Sequence, residues 1–265
     1  MVKAHTLRDL VDLPRPVAVL ANDYADATVI DTHAHPWTQL VYAAGGLLRL
    51  TTADGVWMVP PRHGVWVPAG MPHSLHCHGS VAMRTLYVRV AHRPASASRC
   101  TVVLVPELLH ELILAAVDLA LDYDANSADG RLAAVILDRI NGLQEAPLSL
   151  PLPRDPRARR VAAALLDDPA DKRRLADWGR IVGASPRTLA RLFQRDTGHG
   201  FSAWRQRARL QAALPLLAAG RPVTETAMSL GYEQPSAFIA LFKRTLGQTP
   251  GRYEAPASRR AIPAG

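Results

Sequence analysis

Residues 175–198, LADWGRIVGASPRTLARLFQRDTG, and residues 223–247, VTETAMSLGYEQPSAFIALFKRTLG, carry one pattern twice. Leu192-Phe193 recurs as Leu241-Phe242, 49 residues on, and the turns inside the two copies differ in length by one residue. Each copy reads as a helix, a turn at glycine (Gly183, Gly231) and a second helix opened by Ser185 or Gln234 ahead of a proline. Proline suits the first helical turn because its missing N–H would have no partner there. Helix, turn and helix at this length outline a motif whose second helix enters the major groove of DNA while the first crosses the phosphate backbone. Two copies in one chain can reach groove segments about one turn, ~34 Å, apart without a dimer. A pair of ordinary helical hairpins in an all-α domain would share this outline.

Charge separates the two readings. Residues 151–265 carry 20 Lys/Arg against 9 Asp/Glu, a net +11, whereas residues 1–150 carry 11 against 14, a net −3. Basic charge confined to the half with the repeat points to a polyanionic partner, because neutralising phosphates needs cations gathered on one face. Nearly all of it is arginine, which suits bidentate contacts to guanine edges and phosphates.

Residues from 157 to about 254 resemble the DNA-binding domain of the AraC/XylS transcription regulators. The resemblance rests on the two motifs, on the helix between them, and on Gly231-Tyr232, Phe238, Phe242-Lys243, Gly247-Gln248-Thr249-Pro250 and the closing Gly251-Arg252-Tyr253. It implies that the central helix, Phe201 to about Ala219, sets the relative orientation of the two motifs. Trp204, Leu210, Ala213, Leu214 and Leu217 line one face of it at helical spacing. Pro215 is expected to bend or interrupt it, since proline removes a hydrogen bond and clashes with the preceding turn.

In the first motif Arg187 and Arg191 stand one helical turn apart and can face one groove, flanked by Ser185 and Thr188, while Leu189, Leu192 and Phe193 turn inward. They match the positions through which the family contacts bases; phosphate contact alone is the competing role. The second motif is poorer in polar side chains, with Ala240 where many relatives carry a long polar residue. Gln234 and Ser236 are its candidates for bases, and Lys243, Arg244 and Arg252 for phosphates.

The N-terminal half follows a different pattern. From Val29 to about Val90, short runs of Val, Leu, Trp and Thr are broken by Gly45-Gly46, Asp54-Gly55, Pro60-Pro61 and Pro68-Ala69-Gly70, which predicts a β-barrel or jelly roll. His33-Ala34-His35 with Gln39, then Gly64 through Pro72-His73, resemble the two motifs that supply metal ligands in the cupin superfamily. Imidazoles at i and i+2 of a strand point the same way, so His33, His35 and His73 are candidate ligands of a divalent transition metal, with Gln39 as a fourth. Gln39 stands where metal-binding cupins commonly carry Glu, and an amide is the weaker ligand. The alternative is a metal-free sensor whose histidines bond an effector or one another. Trp37, Gln39, Trp57 and Trp66 are candidates to line an effector pocket, with core packing as the alternative for at least one tryptophan.

Two helices are expected at Pro106–Ala120 and about 128–143. The stripe Leu108, Leu109, Leu112, Ala115, Ala116 and Leu119 would pack on the barrel or on a second subunit. The fold class is α+β in two domains: a cupin-like barrel at 1–100, a helical linker or dimerisation segment at 101–146, a proline-rich linker at 147–156, a tandem helix-turn-helix domain at 157–255 and a tail at 256–265. The ends, 1–7 and 256–265, read as loosely ordered. The chain has 265 residues, 48% of them hydrophobic, two cysteines, no apolar run long enough for a membrane span and no signal-peptide core, which places it in the cytoplasm. The expected function is regulation of transcription by a non-enzymatic protein whose partners are an operator in double-stranded DNA, a small effector, RNA polymerase and a second copy of the chain. The alternatives are a cupin metal enzyme with an appended DNA-binding domain, and a regulator whose barrel only dimerises. Effector, operator and sign of regulation are not written in the sequence.

Overall fold

The computed structural model describes residues 14–253, so the segments 1–7 and 256–265 discussed above lie outside it. The described chain divides into two compact units, one of residues 14–50 and 59–146, the other of residues 51–58 and 147–253.

In the first unit short apolar runs, with apolar and polar residues alternating in β6, produce strands β1 (Val17–Tyr24), β2 (Val29–His33), β3 (Thr38–Thr52), β4 (Gly55–Val59), β5 (His63–Val67), β6 (His73–Val88) and β7 (Thr101–Leu104). β3 and β4 also supply residues 51–58 to the second unit. The ladders form an open sheet. β6 pairs antiparallel with β2 along its first half and with β1 from Val81 to Val88; β3 neighbours β6 and pairs with β5, which carries β7. The outer side of β7 is covered by residues 144–146, so this edge is not left open. Thr101–Leu104 was expected to begin the helical linker; it is a strand because its β-branched run pairs residue by residue with β5, from His63↔Leu104 to Trp66↔Thr101.

The middle of β3 depends on a close approach. Gly46 has φ +79°, and a Cβ there would lie 2.3 Å from the Ser80 carbonyl oxygen on β6. Gly79 also has positive φ, +71°, but faces open space.

Helices α1 (Glu107–Ala115) and α2 (Ala128–Ile140) bury Leu109, Ile113, Ala133, Ile136 and Ile140 against Val17, Val19, Leu40, Tyr42, Leu86 and Val88 of the strands. Leu109, Leu112, Ala116 and Leu119 of the apolar stripe therefore pack on their own sheet, whereas Ala115 is exposed and Leu108 is 54% exposed. Trp66, read as a pocket residue, is fully buried in this same core.

In the second unit, α3 (Pro156–Asp167), α4 (Leu175–Val182), α5 (Pro186–Thr197), α6 (Phe201–Ala218), α7 (Val223–Ser229) and α8 (Pro235–Leu246) build the tandem motif. The stretch 147–156 is more than a linker: β8 (Ser149–Pro151) pairs with Gly55–Trp57 of β4. Gln211 of α6 donates to the Leu148 carbonyl at 2.6 Å, and Arg159 of α3 to the Ala53 carbonyl at 2.6 Å. Residues 51–58, read as barrel, belong to this unit, and Trp57 is buried with them rather than lining a pocket of the sheet domain.

Pro215 does not interrupt α6, which runs on to Ala218. The missing N–H costs one bond, that to the Gln211 carbonyl, but only three helical residues follow, so the disturbance is confined to the last turn. Phe201, Trp204 and Ala208 of α6 join the core of the first motif with Trp178, Leu189, Leu192 and Phe193. In the second motif the rings of Tyr232, Phe238, Phe242 and Tyr253 follow one another at 5.5–5.7 Å.

Gly46→Ala should destabilise the sheet unit by more than ~2 kcal/mol, because it combines a left-handed backbone with a clash against main chain. Gly79→Ala, left-handed but unobstructed, should cost only about 1 kcal/mol. Urea unfolding of both variants checks this; equal losses would remove Ser80 from the explanation.

Candidate nucleic-acid interface and histidine cluster

The first motif turns sharply between α4 and α5. A Cβ on Gly179 would lie 2.4 Å from the Ala184 carbonyl, so only glycine lets the turn fold back on α4, where the Ala184 N–H donates to Gly179 at 2.9 Å. Ser185 then caps α5: its Oγ accepts the Thr188 N–H at 3.1 Å and lies 2.9 Å from the Thr188 hydroxyl. Both residues, expected at the DNA, are thus engaged in starting the helix that presents it.

Leu189, Leu192 and Phe193 are buried, leaving Arg187, Arg191 and Arg195 on the outer side. These arginines are not equivalent. Arg195 pairs with Asp196 at 2.6 Å and holds that carboxyl down to about 2. Asp196 also accepts the backbone N–H groups of Arg154 and Asp155, which ties the start of α3 to the end of α5. The side chains of Arg187 and Arg191 are exposed and make no hydrogen bond or ion pair with other described residues.

α8 is plainer. Phe238 and Phe242 are buried, and the exposed positions are Ser236, Ala237, Ala240, Lys243 and Arg244. Gln234 stands at the N-cap without a side-chain cap bond, and Arg252 is exposed in the turn that follows the helix. Beside the start of α8 lies a cavity of about 610 Å³, lined by Lys172, Ser202, Arg205, Gln206, Gln234 and Ala237 among others. Sequence reading missed Lys172 and Arg205 as its neighbours, because the three segments are distant in the chain and meet only in the folded domain, where Lys172 also pairs with Glu233 at 3.6 Å.

In the sheet unit, His33, His35 and His73 come together; one ring nitrogen of each lies within 4.8 Å of the others. The local route differs from the expected one. β2 ends at His33, and His35 lies in the loop beyond it, so the two do not share a strand. His33 and His73 are cross-strand partners with ring centres 4.4 Å apart, and the His35 ring is 5.2 Å from that of His73.

Each of the three Nδ1 atoms faces a backbone carbonyl: Asp31 for His33 at 2.8 Å, Trp37 for His35 at 2.8 Å, Met71 for His73 at 2.9 Å. His35 Nε2 lies 2.9 Å from Gln39 Oε1, whose own amide nitrogen donates to the Tyr87 hydroxyl at 3.1 Å. His73 Nε2 is buried without a hydrogen-bond partner. Burial lowers the pKa of His73 to about 4, against the pull of its Met71 bond, and neighbouring His33 and His35 push the same way. Burial also lowers His35, with Gln39 and Trp37 opposing. Tyr87, which no sequence signal singled out, meets both His35 and Trp37 edge-on, at 5.3 and 6.1 Å. Of the three tryptophans considered, Trp37 is the one near the cluster, 6.4 Å from His35.

Residues 178–255 match the family model of a helix-turn-helix domain, and residues 16–103 that of an AraC-like ligand binding domain. The chain is 33% identical to the HTH-type transcriptional regulator NimR of Escherichia coli over 237 residues, 89% of this chain and 86% of that one. It is 38% identical over 103 residues, 39% of this chain and 31% of the relative, to the HTH-type transcriptional regulator RipA of Corynebacterium glutamicum. Among solved structures it is similar to ToxT from Vibrio cholerae, with 11% identity, 90% of this chain and 98% of that one covered, and a TM-score of 0.39. The identity to a full-length regulator, together with the two matched domains, establishes that the chain belongs to the AraC family of helix-turn-helix transcription regulators, with a ligand-binding domain ahead of its DNA-binding domain.

Proposed function

We propose that the two motifs divide the work of DNA recognition: α5 reads base edges through Arg187 and Arg191, and α8 fixes the position of the domain. The observation that carries this is the contrast between the exposed sides of the two helices. α5 offers two guanidiniums one turn apart, free of intramolecular partners and held by the Ser185 cap, in the geometry that reads guanine O6 and N7. α8 offers Ala237 and Ala240, with Lys243, Arg244 and Arg252 for phosphates and Gln234 and Ser236 for a thin base contact.

The sheet domain then acts as the sensor. A small effector changes DNA binding only by binding one arrangement of the protein more tightly than another. The chain works without catalysis, in the cytoplasm, with RNA polymerase and a second copy of itself as further partners. No helix among the described residues is long and apolar enough to cross a membrane.

Selection of operators from a randomised duplex library with the full chain tests the division. Arg191→Ala should lower affinity for the selected sequence by about 1–3 kcal/mol and relax the preference at one base pair. An unchanged binding profile would contradict base readout by Arg191. Lys243→Ala should instead weaken all sequences alike and reduce the slope of log affinity against log salt by about 1. A sequence-dependent loss for Lys243→Ala would make α8 a second reader.

A further inference from the structure

We infer that His33, His35 and His73 bind one divalent transition-metal ion through their Nε2 atoms, with Gln39 Oε1 as a fourth donor and Tyr87 holding Gln39 in place. The sequence raises the residues; the arrangement of hydrogen bonds assigns the atoms. Carbonyl oxygens only accept, so Nδ1 of each imidazole must be the donating nitrogen in its bond to Asp31, Trp37 or Met71. Each neutral ring is then left with its lone pair on Nε2. Fixing the tautomer through a carbonyl bond at the other nitrogen is what metal-binding histidines need from their surroundings.

Two consequences call for a cation. His73 Nε2 is a buried lone pair with no donor to satisfy it. His35 Nε2 lies 2.9 Å from Gln39 Oε1, another lone-pair atom, so in a neutral ring the two face each other with nothing between them to bond. Turning the Gln39 amide over would satisfy His35 and still leave His73 orphaned. A metal satisfies both. One ring nitrogen of each histidine lies within 4.8 Å of the others, and a closing by roughly 1 Å or more would surround an ion at ~2.0 Å from each, an adjustment within reach of side-chain rotation. Three imidazoles and an amide oxygen, without carboxylate or thiolate, select an ion that prefers nitrogen, such as zinc, nickel, copper or cobalt.

The inference is independent of how the DNA is read, and its test uses no DNA. The full chain is stripped with chelator and titrated with Co²⁺, whose visible absorption reports nitrogen coordination in low symmetry, and bound metal is counted by elemental analysis. One equivalent per chain with that absorption is expected. His33→Ala is the variant of choice because His33 is the most accessible of the three. It should weaken binding beyond the roughly 10- to 100-fold typical of losing an outer-sphere partner. Gln39→Glu should tighten binding by supplying a charged ligand at the same place. Failure of the unmodified chain to bind, or unchanged affinity in His33→Ala, overturns the site. Unchanged affinity in Gln39→Glu overturns the place given to Gln39.

Discussion

One helix, α6, serves two cores at once. Its first half inserts Phe201, Trp204 and Ala208 into the core of the first motif, and its second half buries Leu210, Ala213, Leu214 and Leu217 beside α7. At 18 residues it is ~27 Å long, comparable to the separation of successive groove segments that the two recognition helices would address. Any rotation of α6 moves both motifs, so its packing has to be rigid. The Trp204 indole donates to the Pro151 carbonyl at 2.7 Å, and Arg209 reaches the Pro169 carbonyl at 2.8 Å and lies over the Tyr232 ring. These bonds satisfy buried or half-buried polar groups while fixing the helix about its own axis. Pro215 is tolerated because it sits at the end of the helix, past the residues that do this.

The arginines of the domain make sense against that rigidity. Arg209 and Arg205 donate to backbone carbonyls, and Arg195 is held by Asp196, so much of the positive charge is structural before any DNA arrives. An arginine already paired is held in position by its partner, and its charge is in part neutralised where that partner is a carboxylate, so moving it to a base costs the bond it leaves. Arg187 and Arg191 avoid that penalty. Net charge alone could not have distinguished the two groups, because both contribute equally to it.

How much of this the sequence disclosed follows from whether the signal was local. The caps and turns of the tandem motif depend on residues three or four apart, and Ser185-Pro186, Gly183 and Gly231 declared them. The inward faces of α5 and α6 follow from helical period and were legible for the same reason. Pairing across long separations was not. Nothing near Ser149 indicates that it faces Trp57, and nothing near Gln211 indicates that its amide will meet Leu148. The histidine cluster lies between these cases. Its members were legible as residue types in a suggestive order, but the argument that placed His33 and His35 on one strand was wrong in detail. His35 reaches the cluster from a loop, and His33 reaches it because the register of β2 on β6 sets it opposite His73.

That cluster also bears on why the sheet is built as it is. Leaving the Nε2 of His73 buried and unbonded costs about 1–3 kcal/mol, a large share of a domain's net stability. An apolar residue at 73 would remove that cost and fill the same volume. The three Nδ1 bonds, each to a carbonyl within two residues, spend polar groups on orienting rings that contribute little to the core. A sheet optimised for stability alone would not gather three imidazole rings with their Nδ1 atoms all tied to backbone carbonyls. Under the proposed metal site the arrangement is stability given up to keep ligands pre-oriented, with the Tyr87 hydroxyl holding the Gln39 amide beside His35.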